Sequence, residues 1–357
     1  MGDTSELNTR PTGIIYHEKY LEHDTGNHPE SADRIEHVHK VLRAETGDWN
    51  VTWQEPRSAS LDELKLVHDP TYIEFLRKFS QAGGGSIWVD TACSRNSFEV
   101  ARLAVGGVLE SIDAVMKGQL QNAFALVRPP GHHAMPDRAQ GFCLFNNVAV
   151  GARYLQKVHG IERILVIDWD CHHGNGTEHV FFDEASVLYF SLHEEMTYPG
   201  TGRAQEVGFS EGTGYNVNVP LPPGCGDGVS KEVFLELLAP IALQYGPEFI
   251  LVSAGQDAHH ADGFSTMQMT APGFGRLAQI TADLASQCCD GRLVLAQEGG
   301  YNPVALAHSI LAILSSCVGR HDEVPDPFTR PGEKDPEIAL QYLEQVKHIQ
   351  RAYWADL

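Results

Sequence analysis

The chain alternates short, strongly apolar runs with longer stretches in which apolar residues recur at helical spacing. The short runs cover residues 123–127, 163–168, 186–192, 249–253 and 292–296. Runs of this length that are rich in β-branched residues predict buried strands. The longer stretches, which predict helices, cover residues 97–117, 146–159, 228–245, 271–287 and 303–318. Strands and helices that alternate in this way predict an α/β fold with a mainly parallel sheet and helices on both faces.

One domain accounts for this pattern. The chain of 357 residues exceeds the usual size of a domain, but α/β enzymes often reach this length, and no repeat, low-complexity linker or heptad run divides it. We predict that a catalytic domain spans residues 12–320. Residues 321–357 are expected to pack on the same domain: the proline- and charge-rich segment 321–336 crosses the surface, and a last short helix follows.

Polar segments follow four of the predicted strands at the point where each strand ends. These segments are residues 128–134, 168–176, 254–260 and 297–302. Ligands of open parallel sheets bind beyond the carboxyl ends of the strands, so we expect these segments to meet at one edge. The sequence therefore predicts a single active site there.

The segment 168–176 carries Asp170 and His172, whose side chains can point toward one spot on an extended chain. A carboxylate and an imidazole suit Zn²⁺ or a similar first-row ion, and Asp257, from another strand end, is the natural third ligand. Such an ion lowers the pKa of water and polarises a carbonyl, as amide hydrolysis requires. Helix N-capping is the alternative role for each aspartate. We expect Cys171 to alternate away from the metal and to pack in the interior.

Two adjacent histidines, His132 and His133, follow a Pro-Pro-Gly turn. One can act as a general base while the other stays protonated, provided that their surroundings differ. Asp168 can hold one of them as imidazolium, and the neutral Asn175 can leave the other nearer neutrality. Tyr301, after two glycines, can donate its hydroxyl to a developing oxyanion. Structural histidines and a core tyrosine are the alternative interpretations.

Charge and cysteine content narrow the possible partners and compartments. The net charge of −21, from 26 basic and 47 acidic side chains, argues against nucleic acid or an anionic membrane as a partner. It favours cationic substrates such as lysine-rich segments or polyamines, although acidity also serves solubility alone. Seven scattered cysteines without a CxxC pair indicate reduced thiols, and residues 1–11 are polar, so we expect a cytoplasmic protein. No stretch approaches the roughly 18 apolar residues of a membrane span.

Several motifs together resemble the zinc-dependent histone deacetylase family. They lie within about residues 12–320 and are segments 128–134, 168–176 and 253–257, Gly141-Phe142-Cys143, Glu298-Gly299-Gly300-Tyr301, and His28-Pro29-Glu30 with Arg34. The resemblance implies the arginase–deacetylase fold, with a central parallel sheet of about eight strands. It also implies a narrow tunnel that ends at Zn²⁺.

The resemblance assigns roles to individual residues. The zinc ligands that it implies are Asp170, His172 and Asp257. Tyr301 becomes the tyrosine that stabilises the transition state. His133 becomes the general base, and His132 becomes its electrostatic partner, bonded to Asp168.

A substrate tunnel and a structural cation are implied in the same way. The tunnel residues are Gly141, Phe142, Tyr198, Phe264, Gly300 and, at the rim, Asp90. The ligands of a structural monovalent cation, usually K⁺, are side-chain and backbone oxygens of Asp168, Asp170, His172, Ser191 and Leu192. Asn175, where class I members have aspartate, indicates a class II-like or bacterial histone deacetylase-like amidohydrolase.

Two positions depart from the family pattern. Gln256 precedes Asp257 where class II members usually carry phenylalanine, and we expect its amide to hydrogen-bond close to the metal. Phe264 stands where polyamine-selective relatives can place glutamate, which weakens a polyamine assignment. His259 and His260 are expected to be loop residues, because Asp257 completes the ligand set.

The leading interpretation is a zinc-dependent deacylase that hydrolyses an acylated primary amine of the acetyl-lysine type. An acetylpolyamine amidohydrolase with the same mechanism is the closest alternative. An arginase-like two-metal hydrolase is disfavoured, because Asn175 is neutral where a bridging carboxylate would be needed. A catalytically silent receptor for acylated amines is disfavoured because every candidate catalytic group is present. Fe²⁺ instead of Zn²⁺, and a homo-oligomer such as a dimer or tetramer, stay open.

Overall fold

A parallel sheet of eight strands occupies the centre of the protein. The computed structural model describes residues 10–320, 324–330, 332, 334 and 336–357. The strands are β1 (Thr12–Ile15), β2 (Val51–Gln54), β3 (Gly84–Trp88), β4 (Thr91–Ser94), β5 (Asn122–Ala125), β6 (Ile164–Asp168), β7 (Val187–Glu194), β8 (Asn216–Leu221), β9 (Phe249–Ala254) and β10 (Leu293–Gln297). Their order in the sheet is β2-β1-β5-β10-β9-β6-β7-β8, and β3 pairs with β4 in a separate antiparallel hairpin.

Helices cover the sheet on both faces. They are α1 (Ala32–Glu45), α2 (Leu61–Leu64), α3 (Pro70–Gln81), α4 (Ser97–Met116), α5 (Asn147–His159), α6 (Asn175–Phe181), α7 (Asp227–Val233), α8 (Ala239–Tyr245), α9 (Ala271–Cys289), α10 (Pro303–Cys317) and α11 (Pro336–Gln350). α4 packs against α5, and α10 packs against both α1 and α9. Every residue of β5, β6, β7, β9 and β10 is buried, which a strand achieves only when both of its faces are covered.

The predicted parallel α/β fold is confirmed, and the predicted strands end within two residues of the observed ones. Three strands of the sheet lie outside the predicted set. β1 and β2 have only four residues each, too few for a clear period. In β8, Asn216 and Asn218 alternate with valines, and both buried amides donate to Glu178, at 2.8 and 2.6 Å. Buried polar residues whose amides are paired inside the protein interrupt the hydrophobic pattern from which a strand is predicted.

The helix predicted over residues 228–245 is interrupted. A π-helical turn, Phe234–Leu238, separates α7 from α8. Pro240 lies in the first turn of α8 and has no N–H for the helical ladder, so the backbone before it rearranges.

The last helix is longer than the short one expected, since α11 has 15 residues. It packs against β8 and α7 through the buried side chains Ala339, Leu343 and Val346. The polar segment at 1–9 and residues 321–323, 331, 333 and 335 of the predicted surface crossing lie outside the described residues, and the domain bounds stay a prediction. None of the described helices combines the length and apolar character needed to cross a membrane.

Candidate metal centre and active site

The four polar segments that follow β5, β6, β9 and β10 meet at one edge of the sheet. These strands are neighbours in the order β5-β10-β9-β6, so their carboxyl ends lie side by side. Hydrogen bonds join the segments directly: the Gly299 N–H donates to Asp170 Oδ2 at 2.9 Å, and the Gly131 N–H donates to Glu298 Oε2 at 2.5 Å. The expected convergence of the strand ends is therefore present.

Asp170, His172 and Asp257 form a buried cluster of possible metal ligands. His172 Nδ1 lies 3.1 Å from Asp170 Oδ1 and 3.1 Å from Asp257 Oδ2. The imidazole is 12% exposed, whereas the two carboxylates are fully enclosed. Two carboxylate oxygens and one imidazole nitrogen at this spacing fit a first-row divalent ion and leave room for further ligands.

Cys171 also contributes to this cluster. Its Sγ lies 3.3 Å from His172 Nδ1, so the expectation that it alternates away from the ligand atoms is wrong. The extended chain turns at this point, because the Cys171 N–H donates to Asp257 Oδ1 at 2.9 Å. Burial and the charges of Asp257 and Asp170 raise the pKa of the thiol well above its usual value. A thiol must lose its proton when it binds a metal, and this raised pKa makes that loss more costly, so the two carboxylates and the imidazole are the easier donors.

Glycines let the backbone approach the carboxylates. A Cβ at Gly255 would overlap the Asp170 carboxylate, and a Cβ at Gly299 would overlap both Asp257 and Asp170. Burial, and next the charge of Asp170, raise the pKa of Asp257. A divalent cation bound between the two carboxylates would remove this repulsion, so the electrostatics of the site also fit a metal.

The two adjacent histidines have different partners. His132 Nδ1 lies 3.0 Å from Asp168 Oδ2, and His133 Nδ1 lies 2.8 Å from Asn175 Oδ1. Burial lowers the pKa of His132, but the charges of Asp168 and Asp170 outweigh burial and raise it to about 10. Burial, helped by the neighbouring His132, lowers the pKa of His133 well below its usual value. One imidazole is therefore held charged and the other neutral.

Tyr301 lies near the cluster, since the charges of Asp257 and Asp170 help burial raise the pKa of its hydroxyl. Its ring lies 4.3 Å from the Phe264 ring and 5.7 Å from the Phe142 ring, between centroids. The Arg34 guanidinium carbon lies 5.5 Å from its centroid. Among the described residues the hydroxyl has no hydrogen-bond partner, so it is available to a ligand.

The other predicted tunnel residues surround the same space. A Cβ at Gly141 would overlap the His133 ring, so the chain passes this histidine closely. The Tyr198 ring lies 5.0 Å from the His133 ring and is 38% exposed, as is Phe264. Burial, and next the charge of Asp90, raise the pKa of Tyr198, so Asp90 lies near this ring. Gly300 adopts φ +123°, a conformation that favours glycine.

The residues predicted to hold a monovalent cation are neighbours across two strands. Asp168 of β6 is paired in register with Ser191 of β7, and Leu192 follows. Asp168 Oδ1 accepts the Asp170 N–H at 3.2 Å. The Ser191 hydroxyl is 2.8 Å from His193 Nδ1.

The Gln256 side chain bonds to backbone close to its own position in the chain. Its side-chain amide donates to Ala254 O at 2.8 Å instead of reaching the ligand atoms, and its Oε1 has no partner among the described residues. His259 contacts Asp326 at 2.9 Å and is a loop residue as expected.

A buried ionic network behind the site was not predicted from the sequence. Arg128 donates to both Glu30 oxygens, at 2.7 and 2.9 Å, and Arg34 donates to Glu30 Oε1 at 3.0 Å. All three side chains are fully buried. Arg128 and Glu30 are separated by 98 residues, so local spacing does not predict their contact. Glu30 and Arg34 entered the sequence analysis only as part of a family motif. Tyr189 donates to Asp168 Oδ2 at 3.1 Å, and no feature of the sequence predicted its place in the site.

Known proteins resemble the chain over nearly its full length. The histone deacetylase domain family matches residues 28–317. A probable deacetylase of Archaeoglobus fulgidus is 38% identical over 96% of this chain and 98% of its own length. The histone deacetylase-like amidohydrolase of Pseudomonas aeruginosa is 36% identical over 81% and 78%. The crystal structure of the HDA15 HD domain superposes with a TM-score of 0.88 at 34% identity, covering 98% of this chain and 97% of that one. The chain therefore belongs to the histone deacetylase family, whose domain implies a deacetylase with a catalytic metal.

Proposed function

We propose that this deacetylase is a zinc-dependent deacylase that hydrolyses the amide of an acylated primary amine. The observation that carries the proposal is the placement of Asp170, His172 and Asp257 around one point. The neutral His133 and the Tyr301 hydroxyl, which has no hydrogen-bond partner among the described residues, lie beside the same cluster.

The donor set supports zinc. Two carboxylates and one imidazole with an open position are a catalytic zinc pattern, although Fe²⁺ accepts the same ligands. When bound, the ion acts as a Lewis acid on water and on the acyl oxygen. The carboxylates must be ionised to bind the metal. Because the pKa of Asp257 is raised, we expect metal affinity to fall as the pH is lowered.

The chain's own residues divide the proton transfers. The Asn175 carbonyl oxygen beside His133 Nδ1 favours a proton on Nδ1, which leaves Nε2 as the base that takes a proton from the attacking water. The same nitrogen then holds a proton that the leaving amine can accept. His132, held charged by Asp168, stabilises the negative charge that develops nearby. The Tyr301 hydroxyl donates to the acyl oxygen as it becomes an oxyanion.

The substrate class is an acylated amine on a cationic molecule, with acetyl-lysine segments as our first choice. The net charge of −21 and Asp90 at the rim favour cationic partners. They also support an acetylpolyamine as the second candidate. Phe264 lies at the tunnel mouth against Tyr301 and offers no charge to a second ammonium, which favours the peptide.

A substrate panel tests the proposal. Acetyl-lysine peptides, acetylputrescine and acetylspermidine would be compared on one preparation whose zinc content is measured. We expect hydrolysis of at least one, in proportion to zinc. His172→Ala should lose metal and activity together, whereas His179→Ala, on the same chain segment, should lose neither. Absence of hydrolysis from every substrate by the zinc-loaded protein would refute the proposal.

We also propose a structural K⁺ at Asp168 and Ser191. The family resemblance supports it, and so does the pairing of these residues across β6 and β7. The thermal midpoint should rise when K⁺ replaces tetramethylammonium at equal ionic strength. An unchanged midpoint would count against the site.

A further inference from the structure

We infer that Asp262 is a positioning residue that fixes the direction of the Tyr301 side chain. The inference deepens the proposed function, because it rests on Tyr301 as the donor to the acyl oxygen. Asp262 lies in the loop that follows β9, five positions after Asp257. Its carboxylate accepts hydrogen bonds from Tyr301 and Asn302 and makes none to a candidate ligand or base among the described residues. Its charge also interacts with that of Asp257, so zinc content has to be measured in every variant.

Asp262 holds the backbone of the tyrosine. Its Oδ2 accepts the N–H of Tyr301 at 2.6 Å and the N–H of Asn302 at 2.9 Å. The Asn302 side chain donates in return to Ala261 O, at 2.8 Å. Three hydrogen bonds therefore join the loop after β9 to the loop after β10, on either side of Tyr301.

The peptide between Gly300 and Tyr301 is held from both of its sides. Its N–H donates to Asp262, and its carbonyl accepts from Arg34 Nη1 at 3.1 Å. The N–H and the C=O of a trans peptide point in opposite directions, so an anion and a cation here fix the peptide plane. The plane sets the Cα–Cβ direction of Tyr301, and Gly300 at φ +123° allows it.

The direction matters because no hydrogen bond from the described part of the chain anchors the hydroxyl. Among the described residues the Tyr301 hydroxyl has no hydrogen-bond partner, and the ring is held by contacts with Phe142, Phe264 and Arg34 that do not reach the hydroxyl as hydrogen bonds. A displacement of about 1 Å at a catalytic group can cost on the order of 100-fold in rate. The backbone clamp is therefore the means by which the hydroxyl keeps its place.

The second oxygen of Asp262 suggests a matched pair of variants. Oδ1 is buried and has no partner among the described residues. Burial, and next the charge of Asp257, raise the pKa of Asp262 to about 7. The two N–H groups need an acceptor oxygen at the position of Oδ2, which an amide also supplies. In Asp262→Asn the amide oxygen can take the place of Oδ2 and keep both N–H bonds. In Asp262→Leu the shape is similar, but neither bond can form.

A double-mutant cycle with Tyr301→Phe tests the inference. In the wild-type background, we expect Asp262→Leu to lower kcat by about 10- to 100-fold with KM and zinc content nearly unchanged. Asp262→Asn should stay within about threefold of wild type. In the Tyr301→Phe background, Asp262→Leu should cost less than about twofold, because the group that it positions is already gone. An equal loss in both backgrounds, or equal loss in the Asn and Leu variants, would overturn the inference.

A crystal structure of Asp262→Leu gives a readout that does not depend on activity. The Tyr301 ring should be displaced or poorly ordered while the zinc ligands stay in place. If the ring keeps its position, the inference fails. If Asp262→Leu does not fold, Asp262→Ser, which is too short to reach either N–H, replaces it in both measurements. An enzyme that hydrolyses no acylated amine would remove the proposed function, and the ring position would still decide the role of Asp262.

Discussion

The Tyr301→Phe substitution removes one hydroxyl, and we expect it to lower catalytic activity while leaving the stability of the protein nearly unchanged. The ring contacts with Phe264 and Phe142 involve carbon atoms and survive the change. The backbone bonds of residue 301 to Asp262 and, through Gly300, to Arg34 are also kept. Since the hydroxyl has no partner among the described residues, its loss leaves no protein group unsatisfied. We therefore expect stability to change by less than about 0.5 kcal/mol.

The expected effect on catalysis is far larger than the effect on stability. A preorganised donor to an oxyanion typically contributes about 2.7–4 kcal/mol, or on the order of 10²–10³ in kcat. The Tyr301 donor belongs to this class because its backbone is clamped before substrate binds. It stands beside carboxylates that are buried, in surroundings where a hydrogen bond to developing charge is strong. KM should change little, because the bond strengthens only as charge develops.

Steady-state kinetics on an acetylated substrate, with zinc content and the thermal midpoint measured on the same preparation, check this expectation. Tyr198→Phe is the matched control, because that tyrosine lines the same space at 5.0 Å from His133 but faces solvent in part. Turnover of Tyr301→Phe within about fivefold of wild type, at equal zinc, would refute the oxyanion role. A loss of zinc would instead place the tyrosine in the metal site.

Three further predictions concern the metal and the buried ions. Asp257→Ala should lose zinc and activity but keep its fold, as metal analysis and circular dichroism would show, since the residue accepts from only one backbone N–H of the ligand loop. Arg128→Met should cost about 3–5 kcal/mol in urea unfolding because it leaves Glu30 buried and less paired. Lys40→Met, from a pair exposed by 68% and 44%, should cost less than about 1 kcal/mol. Burial opposes the charge of Glu30, yet Arg128 and Arg34 lower its pKa from 4.5 to about 2. Its stabilisation is therefore complete above about pH 4.5 and lost as pH falls toward 2, a slope that Glu30→Gln should flatten in pH-dependent unfolding.

The sequence predicts the middle of the sheet well because those strands are buried on both faces. β6 reads Ile-Leu-Val-Ile-Asp, and all five residues are enclosed, so burial and composition agree. The strand ends then locate the site, because Asp170 and Asp257 follow adjacent parallel strands. The two edge strands could not be predicted from burial and composition. β2 is only half-buried, and β8 carries asparagines whose amides donate to Glu178.

The residues that hold the active-site loops in place could not be predicted from the sequence, for a different reason. Asp262 precedes a glycine and looks like an ordinary turn residue. Its partners, Tyr301 and Asn302, are 39 and 40 positions away. Arg128 and Glu30 are separated by 98. Hydrophobic period and local spacing carry no information on contacts at such separations, so only the folded chain reveals them.

The negative charges at this edge of the sheet favour a bound metal, in addition to the three ligands that would hold it. Five carboxylates gather there: Asp168, Asp170, Asp257, Asp262 and Glu298. Burial, together with neighbouring negative charges, raises the pKa of Asp262 and of Glu298 to about 7. The fold keeps this repulsive arrangement because the surrounding strands are fully buried and offset its cost. A divalent cation between Asp170 and Asp257 would relieve the repulsion that helps burial raise the pKa of Asp257, so its removal should loosen the edge before the core. Hydrogen exchange in metal-chelated protein should therefore quicken first in residues 254–262 and 297–302, and uniform protection across the sheet would contradict this account.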